Sequence, residues 1–139
     1  VIELAATAAP EPKSMKALVI DDSRAMRCIV GNILKGLGFE VVDAGHGREG
    51  LERLQGASGA GVDIVLVDWN MPEMNGIEFV TAVRERREYD GIRIVMVTTE
   101  TDAGRMTEAL GRGADEYVMK PFTRDILLQK LELLGLAVA

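Results

Sequence analysis

The 139-residue chain has one cysteine, Cys28, so no internal disulfide can hold it together and the fold must rest on its own core. One domain's worth of chain is long enough for that. It has no apolar run of about 18 residues and no signal-peptide pattern, so we expect a cytoplasmic protein that does not enter a membrane. Basic residues are few: 16 Lys and Arg face 22 Asp and Glu, a net charge of −6. No Lys/Arg-rich block offsets that balance, which argues against nucleic-acid binding by this domain, because such binding neutralises phosphates. Aromatics make up only 4% against 47% hydrophobic residues. The core must therefore be built from Val, Ile, Leu, Met and Ala, as in buried parallel sheets.

What the chain does have is a repeated pattern of apolar runs and amphipathic stretches. Residues 1–14, with Pro10 and Pro12 and little patterned for burial, read as a flexible tail or linker before a domain spanning 15–139. The chain starts without Met, and Met15 directly precedes the first strand, so the tail fits either an appended segment or a longer parent protein. Lys16–Ile20 is the first strand. A helix follows, with Met26, Ile29, Val30, Ile33, Leu34 and Leu37 spaced along one buried face and Gly36 and Gly38 as its stop. Cys28 falls beside that stripe and is expected to be half-buried. Glu40–Ala44 is a shorter strand, His46 lies in the surface turn after it, and residues 47–54 form a weak helix that turns Leu51 and Leu54 inward. Ser58-Gly59-Ala60-Gly61 is a flexible connection to the next strand.

Ile64-Val65-Leu66-Val67-Asp68 is a continuous apolar run ending on a carboxylate, the mark of a strand buried on both faces. The loop Trp69 to Gly76 then leads to a helix with Ile77, Val80, Thr81, Ala82 and Val83 near the core. Trp69 is expected to be partly exposed in that loop, and the run Arg84 to Glu88 reads as a solvated face. A fourth strand, Ile92–Val97, ends at Thr98. A helix over about 102–112 follows, weakened by Gly104 and Gly111 at about 1 kcal/mol each. The fifth strand, 114–119, ends at Lys120, and a last helix over 123–134 buries Leu127, Leu131 and Leu134. Ile126, Leu128 and Leu133 fall off its core stripe and would form an apolar patch beside Tyr117. Five strands alternating with five helices predict a doubly wound α/β fold with a parallel sheet.

In such a sheet all strand C-termini lie along one edge, and ligands bind there where the strand order reverses. The strand ends supply Asp21 and Asp22, then Asp68, then Thr98, then Lys120. Two carboxylates about 4 Å apart repel by about 4 kcal/mol at an effective dielectric of about 20, so a cation must join them. Mg²⁺ suits an all-oxygen site that keeps room for waters and phosphoryl oxygens. Lys120 can pair with Asp68 or a phosphoryl group, and the Thr98 hydroxyl can donate to the same group. The set suits holding a phosphoryl group on a carboxylate.

Asp21-Asp22, Asp68-Trp69-Asn70-Met71-Pro72, Thr98 and Lys120-Pro121-Phe122 together resemble the phospho-acceptor receiver domain of two-component response regulators, above all the single-domain chemotaxis regulators of the CheY type. The resemblance runs from Met15 to about Leu136. It implies a flavodoxin-like five-stranded sheet of order 2-1-3-4-5 with five helices, and phosphorylation of Asp68 by a histidine kinase. It implies Mg²⁺ held by Asp22, Asp68 and the Asn70 carbonyl, with Asp21 acting through water, and a cis bond between Lys120 and Pro121 that aims the amine into the site. Thr98 and Tyr117 would form the switch pair, and Asn70 and Glu100 would tune self-dephosphorylation. A downstream protein would read the face made by the fourth helix, fifth strand and fifth helix, with the regulator a monomer or weak dimer.

Other readings compete. A haloacid-dehalogenase-type phosphatase also places Asp at a parallel strand end, but it carries a second Asp two residues on, where this chain has Asn70. Its cap segment has no room in so short a chain. A receiver-like module that no longer takes phosphate would show losses in the acidic pair or at Lys120, and none is seen. The output could be a flagellar switch, a phosphorelay histidine protein or a further domain of a longer regulator; Trp69-Asn70-Met71-Pro72 and Thr98-Thr99-Glu100 favour the first.

Overall fold

A computed structural model describes residues 15–56, 59–99 and 103–136. The expected tail over 1–14, Ser58 of the expected connection and Glu100 lie outside the described residues. The elements run β1 (Lys16–Ile20), α1 (Arg24–Gly36), β2 (Glu40–Ala44), α2 (Gly47–Gln55), β3 (Ile64–Asp68), α3 (Gly76–Arg84), a 3-10 turn (Arg87–Tyr89), β4 (Arg93–Thr98), α4 (Ala103–Gly111), β5 (Glu116–Met119) and α5 (Arg124–Leu133). The strands form one five-stranded sheet in the order β2-β1-β3-β4-β5, every neighbouring pair parallel. This is the flavodoxin-like topology, with the order reversing between β1 and β3.

Strand alternation divides the core in two. Ala17, Val19, Ile64, Leu66, Val95, Val97 and Val118 pack with Val30 and Leu34 of α1 and Leu127 and Leu131 of α5. Leu18, Ile20, Val65, Val67, Ile94 and Met96 face the other way, toward Leu54 of α2, Phe79, Val80 and Val83 of α3, and Ala109 of α4. β3 is buried at every position, as its unbroken apolar run requires.

Local chemistry sets the helix ends. Ser23 caps α1 by accepting from the Met26 N–H at 3.2 Å, and the chain leaves α1 through Gly38 at φ +96°, where a Cβ would be strained. Asn75 and Glu78 form a reciprocal capping box on α3, each side chain accepting from the other's backbone N–H at 2.9 Å. His46, in the expected turn, also caps α2: its Nδ1 accepts from the Glu49 N–H at 3.2 Å.

Several packing expectations are corrected. Ile29 is 54% exposed, because the buried stripe of α1 runs through Val30, Gly31 and Leu34 instead. Cys28 is exposed rather than half-buried. Trp69, expected to be partly exposed, is only 6% exposed, since the loop turns back into the core behind Asp68. The stripe of α3 is Gly76, Phe79, Val80 and Val83, so Phe79 is fully buried while Ile77, Thr81 and Ala82 are only half-buried. Leu128 packs partly against the core and leaves the predicted patch, and Leu134, expected to be buried, is only half-buried.

Arg84 does not join the solvated run that follows it. Its guanidinium donates to the carbonyls of Gly113 (2.9 Å), Tyr89 (2.9 Å) and Ile92 (2.7 Å) and to Asp115 Oδ2 (2.9 Å). The flat five-donor fork suits this work, which a point-charge ammonium could not match. It ties the end of α3 to the segments entering β4 and β5.

Candidate functional site

The three innermost strands and β5 deliver polar residues to one edge of the sheet. Asp21 follows β1 directly, and its N–H donates to the Ala44 carbonyl at 3.2 Å, so β2 fixes its backbone. Its Oδ1 accepts from the Ser23 N–H at 2.8 Å, an Asx turn that holds the carboxylate in place. Arg27 donates to the Asp21 carbonyl at 2.6 Å and pairs with Asp43 at 3.0 Å. Asp68 ends β3 in register with Val97, and the Trp69 N–H donates to the Val97 carbonyl at 2.9 Å. Lys120 follows β5, its N–H bonded to the Thr98 carbonyl at 2.8 Å, and the Lys120–Pro121 bond is cis.

These backbones bring the side chains together. Ligand oxygens of Asp21, Asp22 and Asp68 all lie within 4.8 Å of one another. Lys120 Nζ donates to Asp21 Oδ2 at 2.9 Å and lies 3.4 Å from Asp68 Oδ1. Asp21 and Asp68 are buried and Asp22 is exposed, so the cluster opens to solvent on the Asp22 side. Thr98 is fully buried at the end of β4. Asn70 is exposed two residues beyond Asp68, and Tyr117 is half-buried on β5 with Lys130 Nζ 4.9 Å from its ring centroid. Glu100 lies outside the described residues.

The electrostatics follow from burial and proximity. Burial first, and then the charge of Asp21, push the Asp68 carboxyl above the ordinary aspartate value, while Lys120 pulls it back down. Burial works against the charge on Lys120, but the hydrogen bond to Asp21 and the charge of Asp68 outweigh it, and its pKa rises. Three carboxylates and one ammonium leave two formal negative charges, the charge of one divalent cation. The donors are all oxygen, the preference of hard cations. Opposite ligands of an octahedral Mg²⁺ stand about 4.2 Å apart at bonds of about 2.1 Å, so carboxylate oxygens this close could share one such cation, directly or through water. Among the described residues no other cluster of three or more His, Cys, Asp or Glu side chains is close enough to share a metal ion.

Two features of the surroundings have no signal in the sequence. Arg105 of α4 lies over the Trp69 ring, its Cζ 5.5 Å from the centroid. A groove lined by Arg24, Arg27, Cys28, Lys35, Val41 and Asp43 runs between α1 and β2 and contains none of the three clustered carboxylates. Both join residues distant in sequence, and no local motif marks them. Among the described residues no helix is long and apolar enough to cross a membrane.

Comparison with known proteins fits this geometry. Residues 17–132 match the family described as the response regulator receiver domain. The chain is 44% identical over 120 residues to the chemotaxis protein CheY1 of Helicobacter pylori, covering 86% of this chain and 95% of that one. It is 44% identical over 119 residues to a chemotaxis protein CheY homolog of Campylobacter jejuni, covering 85% and 90%. Among solved structures, chemotaxis protein CheY4 of Vibrio cholerae superposes with a TM-score of 0.80 at 39% identity, over 87% of this chain and 98% of that one. A sheet of this order, an acidic cluster crossed by a lysine at its switch point and a match along most of the chain lead to one conclusion: the protein belongs to the response regulator receiver domain family and is a CheY-like phospho-acceptor of two-component signalling rather than an enzyme in the usual sense.

Proposed function

We propose that Asp68 accepts a phosphoryl group from the phosphohistidine of a histidine kinase. The observation that carries this reading is Lys120 Nζ lying between Asp21 and Asp68, with Asp22 completing the carboxylate cluster on the open side. An Asp68 carboxylate oxygen forms the new P–O bond as the P–N bond to the donor imidazole breaks, and the imidazole nitrogen keeps the electron pair. Lys120 is already at the acceptor, so little reorganisation is needed to hold a phosphoryl oxygen. Thr98, at the end of the neighbouring strand, would donate to another. Mg²⁺ would be held by Asp22, Asp68 and the Asn70 carbonyl, with Asp21 reaching it through water. Bound there, it stabilises the charge that develops on the phosphoryl oxygens.

The change in charge at Asp68 then biases a two-state element, which we read as the pair Thr98 and Tyr117: the hydroxyl moves toward the phosphoryl group and the ring turns into the space it leaves. Asn70 and Glu100 tune the lifetime, and their identities here are those of the chemotaxis type. Label from a phosphorylated histidine kinase should pass to this chain, be base-labile as an acyl phosphate is, and be blocked by EDTA. It should decay within minutes in Mg²⁺ buffer; decay over hours would overturn the lifetime assignment, and transfer in EDTA the metal assignment. Multiple turnovers of a phosphate monoester would favour the phosphatase reading instead.

The output face is the surface of α4, β5 and α5. Ile126, Lys130 and Leu133 recur at i, i+4 and i+7 on α5, so two exposed apolar side chains flank the lysine that lies over Tyr117. A downstream protein docking there would sense the ring of Tyr117 through Lys130. Leu133→Glu should weaken partner binding by about tenfold, the effect of losing one modest apolar anchor, without lowering Tm, since Leu133 is 73% exposed. Unchanged partner affinity, measured by titration calorimetry, would remove Leu133 from the interface.

A further inference from the structure

The contact between Arg105 and Trp69 joins α4 to the residue next to the acceptor. Trp69 is 6% exposed and packs in the same core cluster as Met96 and Ala109. Its backbone is fixed on both sides, its N–H donating to the Val97 carbonyl at 2.9 Å and its carbonyl accepting from the Gly76 N–H at 3.0 Å. The ring therefore has little freedom, and the guanidinium 5.5 Å from its centroid rests on a rigid platform. α4 itself is lightly held. Among its described side chains only Met106 and Ala109 are buried, Leu110 is 42% exposed, and Gly104 and Gly111 weaken the helix.

We infer that Arg105 restrains the reaction at Asp68 through Trp69: lying over the ring, it holds the first turn of α4 against the acceptor strand and favours the unphosphorylated arrangement. The inference rests on reading Asp68 as the acceptor. Trp69 also donates its N–H to the carbonyl of Val97, the residue before Thr98, so the platform under Arg105 is tied to the end of β4. A shift of Thr98 toward a phosphoryl group works against that tie, and the Arg105 contact opposes the shift. A cation–π contact at an exposed site is worth about two- to fivefold in such an equilibrium.

The chain's single Trp makes the contact directly observable by fluorescence. Arg105→Ala should raise acrylamide quenching of Trp69 about twofold and speed labelling of Asp68 by subsaturating acetyl phosphate by about two- to fivefold. Arg105→Lys keeps a cation but loses the flat guanidinium, so it should fall between Ala and wild type in both readouts. Leu110→Ala, on the same helix, should change neither and separates the clamp from general loosening of α4. Higher quenching with an unchanged labelling rate would make the contact merely structural and overturn the inference, as would no change in quenching. If the wild type takes no label, the acceptor reading fails and this inference falls with it, a result distinct from a labelled wild type with an unaffected variant.

Discussion

Asp68→Asn should abolish phosphoryl incorporation from acetyl phosphate while making the protein more stable in metal-free buffer. The loss follows from nucleophilicity, because a neutral amide oxygen cannot displace the leaving group as a carboxylate does. Since Asp21 and Asp22 are the other carboxylates in the cluster, residual label should amount to background; label persisting at the wild-type level would move the acceptor elsewhere. The gain in stability has a separate cause. Burial and Asp21 raise the pKa of Asp68 in the folded protein, so folding disfavours its ionised form. A carboxyl raised in this way contributes its stability below the unfolded value and loses it as pH rises through the folded value.

Asparagine carries no such loss, so the variant should be the more stable of the two at neutral pH. The difference should shrink as pH falls toward the ordinary aspartate value of 3.8. Thermal melts in EDTA across that range check the sign. A difference that grows on acidification would mean that Lys120, not burial, dominates at Asp68. Adding Mg²⁺ should narrow the neutral-pH difference, because the wild type alone keeps the full ligand set.

Gly76→Ala should lower stability by about 3 kcal/mol, a fall in Tm on the order of 10 °C, and should impair phosphorylation with it. A Cβ on Gly76 would lie 2.7 Å from the Asp68 carbonyl oxygen, 2.8 Å from Met96 Sδ and 3.1 Å from Trp69 Cα. Two of these are backbone atoms of the acceptor segment, so relief requires α3 to move away from β3 or the end of β3 to shift. Gly76 also donates to the Trp69 carbonyl at 3.0 Å, and a displaced α3 loses that bond. Gly36→Ala is the control. No atom outside its own helical turn lies within 4 Å of a Cβ there, so it should be neutral or stabilise α1 by about 0.5–1 kcal/mol. Equal melting of Gly76→Ala and wild type would show that the close approach of α3 to the acceptor is absent in solution.

The sheet edge was legible because its signals are local. A β-branched run buried on both faces allows no polar position, so Asp68 at the end of Ile64–Val67 marks both where the strand stops and where a charge must be used. The same reasoning located Asp21, Thr98 and Lys120, each immediately beside or ending its strand. Helix phase was harder to read. Gly76 passed as a loop residue, which shifted the stripe of α3 by one and hid Phe79, although the structure buries both. Trp69 and Arg84 were misplaced for a related reason. An aromatic in a loop and an arginine in a charged run look solvated unless the elements that fold over them are known.

The sequence by itself therefore determined the alternation of strands and helices, the sheet they must form and the four strand ends that carry the chemistry. These depend on periodicity and on residues a few positions apart, which chain geometry translates directly into structure. Only the tertiary structure decided that Lys120 lies 2.9 Å from Asp21, that Arg84 ties three segments together, that Gly76 touches the acceptor backbone and that Arg105 rests on Trp69. Each of these pairs groups from different elements. Their distances are set by how helices settle onto a twisted sheet, a packing outcome shared by the whole core and written in no single stretch of the chain.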